Sequence, residues 1–257
     1  MKSGSVPLTL CLFAVVALVR ADERTLQLTN PSTLRGMQEI ATILRTVGDI
    51  KNLSLDAPHA SFAVSGTPAE LDFAEWIVHQ VDRPAGWQPS EQDRNNPSTR
   101  EYHLAPGTPN GVARAFYLTS TLQPRPTQET LTILRTVLDV QKIFNYTDHH
   151  ILVYRGPAAQ VEAVDWTLKI LDSPAGTPVP TEPWRLDSKP FDLLRVFSLP
   201  PDTTSPQMQQ LITVLRRDDF VMKVFSLSNP PLLVEAATAP MLDQTAKRIA
   251  ELITSAR

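Results

Sequence analysis

Thr42-Ile43-Leu44-Arg45-Thr46-Val47 returns unchanged as Thr132-Ile133-Leu134-Arg135-Thr136-Val137, and these two stretches decide the fold. Outward from them, residues 25–86 align with 115–176 without a gap at a constant offset of 90. Leu28, Gln38, Glu39, Asp49, Gly66, Trp76 and Asp82 recur as Leu118, Gln128, Glu129, Asp139, Gly156, Trp166 and Asp172. Identity is about a third, well above chance at a fixed register. A weaker third copy follows at an offset of 81: Arg195-Val196-Phe197-Ser198-Leu199 echoes Arg114-Ala115-Phe116-Tyr117-Leu118. Gln209, Thr213, Leu215 and Arg216 then fall where Gln38, Thr42, Leu44 and Arg45 fall.

Each copy reads strand, helix, strand, strand, helix. In the first, Thr25 to Thr29 alternates as a strand, and Met37, Ile40, Ala41, Leu44 and Val47 form one apolar stripe on a helix from about Thr33 to Gly48. Lys51–Asp56 and Ser61–Ser65 read as two short strands. Thr67-Pro68-Ala69-Glu70 then opens the last helix: the threonine can cap free N–H groups, proline suits the first turn, and Glu70 can close a capping box. The second copy has stronger strands at Lys142–Tyr146 and Ile151–Tyr154 and a helix from Ala158 to Leu171. The third opens its first helix at Ser205-Pro206, pairs Val221–Leu227 with Leu232–Ala236, and closes with a helix from Met241 to Ser255.

Two helices over a three-stranded sheet make a two-layer unit. The expected fold is therefore α+β, three tandem βαββα modules, with the second face of each sheet open to solvent or to a neighbour. The expected boundaries are module 1 over 22–86, a polar linker over 87–99, module 2 over 100–176, a proline-rich linker over 177–192 and a divergent module 3 over 193–257. Glu101 to Ala105 can add a short strand before the second module. A unit of about 62 residues buries only about 60% of its unfolded surface and is marginal alone.

The first 21 residues read as a secretory signal peptide: Lys2, an apolar stretch from Val6 to Leu18, and Val19-Arg20-Ala21 before the expected cleavage. The apolar stretch is too short for a comfortable span of about 20 residues. Cys11, the only cysteine, lies inside it, so the mature chain has neither a disulfide nor thiol chemistry. Without Lys2 and Arg20, 22 basic residues face 27 acidic ones, a net charge of −5. That balance argues against nucleic acid or an anionic membrane as the main partner. The expected location is periplasmic or secreted, with no stable membrane insertion after cleavage.

Thr132-Ile133-Leu134-Arg135-Thr136, the Ile151-Leu152-Val153-Tyr154-Arg155-Gly156 strand and Trp166-Thr167-Leu168-Lys169-Ile170-Leu171-Asp172-Ser173-Pro174 resemble the short periplasmic N-domains of bacterial secretins. The likeness covers about two thirds of the mature chain, on short apolar motifs. The third copy departs from the pattern: Ala237 stands in place of the glycine and the Asp-x-Pro ending is missing. The resemblance implies modules that pack into rings or dock onto other envelope components, and implies no catalysis. Nothing after residue 193 supplies the long barrel region of a secretin, so a pore is not expected.

Chemistry-bearing motifs are sparse. Asp148-His149-His150 invites a metal reading, but His59, His79 and His103 have no ligand-like spacing, and His59 aligns with His149 as a shared turn. No Gly-x-Ser-x-Gly elbow is present, and glycine is too scarce for a phosphate-cradling loop. No cofactor, metal or catalytic set is expected. The candidate interaction residues are Arg24, Arg114 and Arg195, which begin the first strand of each copy, and Trp87 and Trp184 in the linkers. Arg45, Arg135 and Arg216 near the end of each first helix suit the helix dipole. Trp76 and Trp166 share a helical position expected to bury against the sheet. The sequence thus points to a non-enzymatic envelope protein that binds another envelope protein or itself through strand edges and sheet faces, with a secretion or pilus apparatus as the expected setting. The competing reading, an exported hydrolase or ligand-binding protein, requires convergent carboxylates in a pocket between modules.

Overall fold

A computed structural model of the chain describes residues 22–30, 32–119, 124–174 and 176–255; the expected signal peptide, with Cys11, lies outside the described residues. The first unit runs β1 (Asp22–Gln27), α1 (Leu34–Thr46), β2 (Asn52–Asp56), β3 (Ser61–Gly66) and α2 (Pro68–Val81). The short helices α3 (Glu91–Asn95) and α4 (Pro97–Arg100) and the strand β4 (Glu101–His103) lead to β5 (Val112–Tyr117), α5 (Pro124–Val137), β6 (Lys142–Tyr146), β7 (Ile151–Gly156) and α6 (Ala158–Leu171). The third unit is β8 (Trp184–Arg185), β9 (Leu193–Ser198), α7 (Ser205–Arg217), β10 (Lys223–Leu227), β11 (Leu232–Ala237) and α8 (Ala239–Ser255). The chain is α+β, and the order βαββα occurs three times.

The sheets are antiparallel, ordered β1-β3-β2, β4-β5-β7-β6 and β8-β9-β11-β10. In each, the last strand of the βαββ run enters the middle. Val64, Tyr154 and Glu235 therefore occupy one position, flanked by Arg24 and Leu53, by Arg114 and Ile143, and by Arg195 and Val224 respectively. Two sheets have four strands rather than three: β4 falls where the sequence allows a short strand before the second module, and β8 comes from the stretch read as the proline-rich linker. Strands of three and two residues are too short to show an alternating pattern. They form because β5 and β9 offer an unpaired backbone row.

Helix starts follow the sequence closely. Thr67 caps α2 and Glu70 returns the bond to the Thr67 backbone, a complete capping box. In the third unit the cap is Thr204, one residue before the expected Ser205, and Gln207 closes the box. Gly156 ends β7 where a Cβ would lie 1.8 Å from the Tyr154 hydroxyl. That hydroxyl donates to Gln160 Oε1 at 2.6 Å.

Along each central strand, alternate residues face opposite ways. Phe62 and Val64 enter the core of their own unit, whereas Ile151 and Val153 on β7 join the core of the first unit. Leu232 and Val234 on β11 likewise join the core of the second. The outward faces of the second and third sheets are thus covered by the helices of the unit before.

Candidate functional site

The polar groups that could do work gather at the two seams between units. At the first, the Glu39 carboxylate on α1 accepts from Thr147 N at 2.8 Å and Thr147 Oγ1 at 2.9 Å, at the end of β6. Asp49, in the left-handed turn after α1 (φ 58°), accepts from Lys142 and from Arg155 Nη1 at 3.0 Å. Asparagine and aspartate tolerate that backbone best among residues with a Cβ. The second seam repeats the arrangement: Glu129 accepts from Ser228 N at 2.8 Å and from its hydroxyl, and Asp139 (φ 55°) pairs with Lys223. The readings from sequence did not assign these groups a role. The signal was present in Glu39 and Asp49 recurring as Glu129 and Asp139 and then changing to Gln210 and Phe220 in the third copy.

The candidate tryptophans also lie at the seams. Trp87 is half-buried, edge-on to Tyr117 at 5.1 Å, with the Arg83 guanidinium 5.0 Å from its ring centre. Trp184 on β8 meets Trp166 of α6 at 5.8 Å. Trp76 stacks on Phe73 and leans on Tyr102 of β4 at 5.7 Å, so its partner is the neighbouring unit's edge strand as well as its own helix.

The three arginines expected to begin the first strands stand instead at the third residue of each, because the strands start two residues earlier, and their surroundings differ. Arg114 is 3% exposed and bonds Glu101 Oε2 at 2.6 Å, with Glu162 and Asp165 beside it. Arg195 lies over the Phe197 ring at 4.7 Å. Arg24 keeps 37% of its side chain in solvent and reaches Asp72 and Glu75 of α2. The other repeated set acts on the sheet's far edge: Arg45, Arg135 and Arg216 donate to the main-chain carbonyls of Leu53, Ile143 and Val224 at 3.2, 3.1 and 2.7 Å.

Among the described residues, no group of three or more His, Cys, Asp or Glu side chains is placed to hold a metal. Asp148 and His149 form a turn beside Asp82 and Arg83 in a cleft between the first two units. The carboxylates there are engaged: Asp82 accepts from the backbone of Thr29 and Asn30, and Asp148 accepts from Thr33. Burial holds the His149 imidazolium below the usual range, against the bond to the Arg83 backbone. Glu235 is fully buried in the third unit, and among the described residues neither of its oxygens has a hydrogen-bond partner. Burial pushes its carboxyl up to about 7, with the neighbouring Thr245 hydroxyl and the Arg195 charge offsetting only part of the effect.

The two ends of the row differ: the outer face of the first sheet is polar, whereas Phe220 and Met222 are exposed at the helical end of the third unit. Where the second sheet turns Ala113, Ala115, Ile151 and Val153 to its neighbour, the first carries Glu23, Thr25, Ser61 and Ala63. On the helical side, Thr46-Val47 and Thr136-Val137 give way to Arg217-Asp218, an exposed ion pair. Among the described residues, no helix is long and apolar enough to cross a membrane.

No family model matches the chain, and no curated protein matches it. Solved structures do. The chain is similar to the N-terminal domain of the secretin XcpQ from Pseudomonas aeruginosa, at 11% identity over 60% of this chain and 63% of that one, with a TM-score of 0.24. It is similar to Aeromonas hydrophila ExeD at 14% identity, covering 91% of this chain and 41% of that one, with a TM-score of 0.21. The secretin GspD of the E. coli K12 type II secretion system gives 15% identity, 91% and 39% coverage and a TM-score of 0.20. The chain spans less than two thirds of the length of each of these structures.

Proposed function

We propose that this is an exported, non-catalytic protein of the bacterial envelope that works by binding another envelope protein, in association with a secretion or pilus system. The observation that carries the reading is where the charged groups stand. Glu39, Asp49, Glu129 and Asp139 hold the units to one another, which suits a rigid scaffold and leaves them poorly placed for chemistry. The cleft carboxylates Asp82 and Asp148 are likewise bonded to backbone and hydroxyl groups, which counts against a hydrolase between the units. The positively charged start, apolar stretch and small-residue site in residues 1–21 support export. The polar outer face of the first sheet favours a different protein as partner over head-to-tail stacking of copies, because the sheet faces that meet a neighbour within the chain are apolar.

The test is the size at which the tagged chain, expressed at its native level, migrates from gently solubilised envelope. Migration in a complex larger than one chain is expected. Migration as the free chain would contradict the reading.

A further inference from the structure

Every sheet of this molecule has two edges, and the chain treats them unequally. On the β2, β6 and β10 side, the arginine from the first helix donates to a carbonyl of the edge strand in all three units. On the other side, β5 is paired by β4, with Glu101 opposite Arg114, and β9 is paired by β8. Among the described residues, β1 has neither device: its inner edge pairs with β3 and nothing pairs with the outer one. An unpaired row of N–H and C=O groups is a template for another strand.

Exposure tells the same story from the side chains. All six residues of β5 are buried, whereas in β1 Asp22, Glu23, Thr25 and Gln27 are exposed and only Leu26 is buried. The charge pattern also differs. Glu101, delivered by β4, neutralises Arg114 from across the strand pair. Arg24 holds the matching position and, among the described residues, receives no carboxylate from a flanking strand; its bonds go to Asp72 and Glu75 of α2.

We propose that the outer edge of β1 is a docking site for an extended segment of a partner protein, added antiparallel, with an acidic residue opposite Arg24. The proposal rests on the interaction reading above and names the surface and the chemistry. Main-chain bonds to the Asp22–Arg24 stretch would supply affinity and the carboxylate would set register, as Glu101 does on β5. A second copy fits less well through its β1 edge, because the antiparallel register that sets Asp22 opposite Arg24 also sets Glu23 opposite Glu23, a like-charge pair at its centre.

The probe is a synthetic peptide with the sequence of residues 98–105, Ser-Thr-Arg-Glu-Tyr-His-Leu-Ala, added to the chain beginning at Asp22. Hydrogen exchange at the β1 amides is the readout. Saturable protection of about tenfold or more, at peptide concentrations up to about 1 mM, is expected. A peptide with its glutamate changed to arginine, and the Arg24→Gln chain with the original peptide, should each bind up to about fivefold more weakly. Unchanged exchange in β1, or protection indifferent to both charge changes, would overturn the proposal. So would β1 protection without peptide that rises with chain concentration, because a second copy would then occupy the edge. A failure here beside a large native complex would leave the interaction reading standing and remove only this assignment.

Discussion

Position 64/154/235 shows what one residue can do to a unit. Valine, tyrosine and glutamate occupy the same core site in the three sheets; of the two polar ones the tyrosine donates to Gln160, while among the described residues the glutamate oxygens have no hydrogen-bond partner. Its carboxyl, raised from an ordinary 4.5 to about 7, keeps its proton in the folded unit over a range where the unfolded chain has lost it. The contribution of this group to stability is therefore greatest below about pH 4.5, falls as pH rises toward 7, and ends about 3 kcal/mol lower. Glu235→Val, which copies the first unit, should remove that slope and raise stability near pH 8 by about 3 kcal/mol. Urea titrations at pH 5 and pH 8 check it; an unchanged pH dependence would show that the carboxyl is not the source. Gly156→Ala should lower stability by about 1–3 kcal/mol, because the new methyl would strike the buried Tyr154 hydroxyl. The value is read from the same titrations. Sequence alone showed that a glycine recurs at 66 and 156, but the clash that requires it at 156 depends on a tyrosine rotamer that no linear pattern encodes.

At the scale of elements, local rules were enough for the helices and the long strands. The β6 and α6 ranges follow the sequence to the residue, since Lys142–Tyr146 is a short run rich in aromatic and β-branched residues and Ala158–Leu171 carries an apolar stripe. The capping box at Thr67 was equally legible, and Thr67→Ala should cost about 1 kcal/mol, seen as a lower urea midpoint at unchanged slope. The short strands β4 and β8 were not legible in full. The first was anticipated only as an option and the second read as linker, because both depend on an edge created by residues far along the chain. The seams escaped notice for a similar reason: Glu39 and Thr147 stand 108 positions apart. Glu39→Ala strands the Thr147 amide and hydroxyl and should weaken the first seam by about 1–3 kcal/mol. Faster tryptic cutting within residues 87–99, with the 177–192 stretch unaffected, is the expected sign.

For the molecule as a whole, the alternation of each sheet links local pattern to assembly. Faces that meet a neighbour are apolar in the second and third sheets, and the face that meets none is polar in the first. A strand buried on both faces reads as a continuous apolar run, and Ile151–Tyr154 is such a run while Ser61–Ser65 is not. The difference between copies thus carries the order of the stack, although the recurrence that reveals the copies draws the eye to what they share. Cores shared across both seams make the units unfold together. Differential scanning calorimetry of the chain beginning at Asp22 tests it most directly. One transition, with calorimetric and van't Hoff enthalpies in agreement, is the expected result. Three separable transitions, unmoved by Glu39→Ala, would show independent modules on linkers and contradict the account.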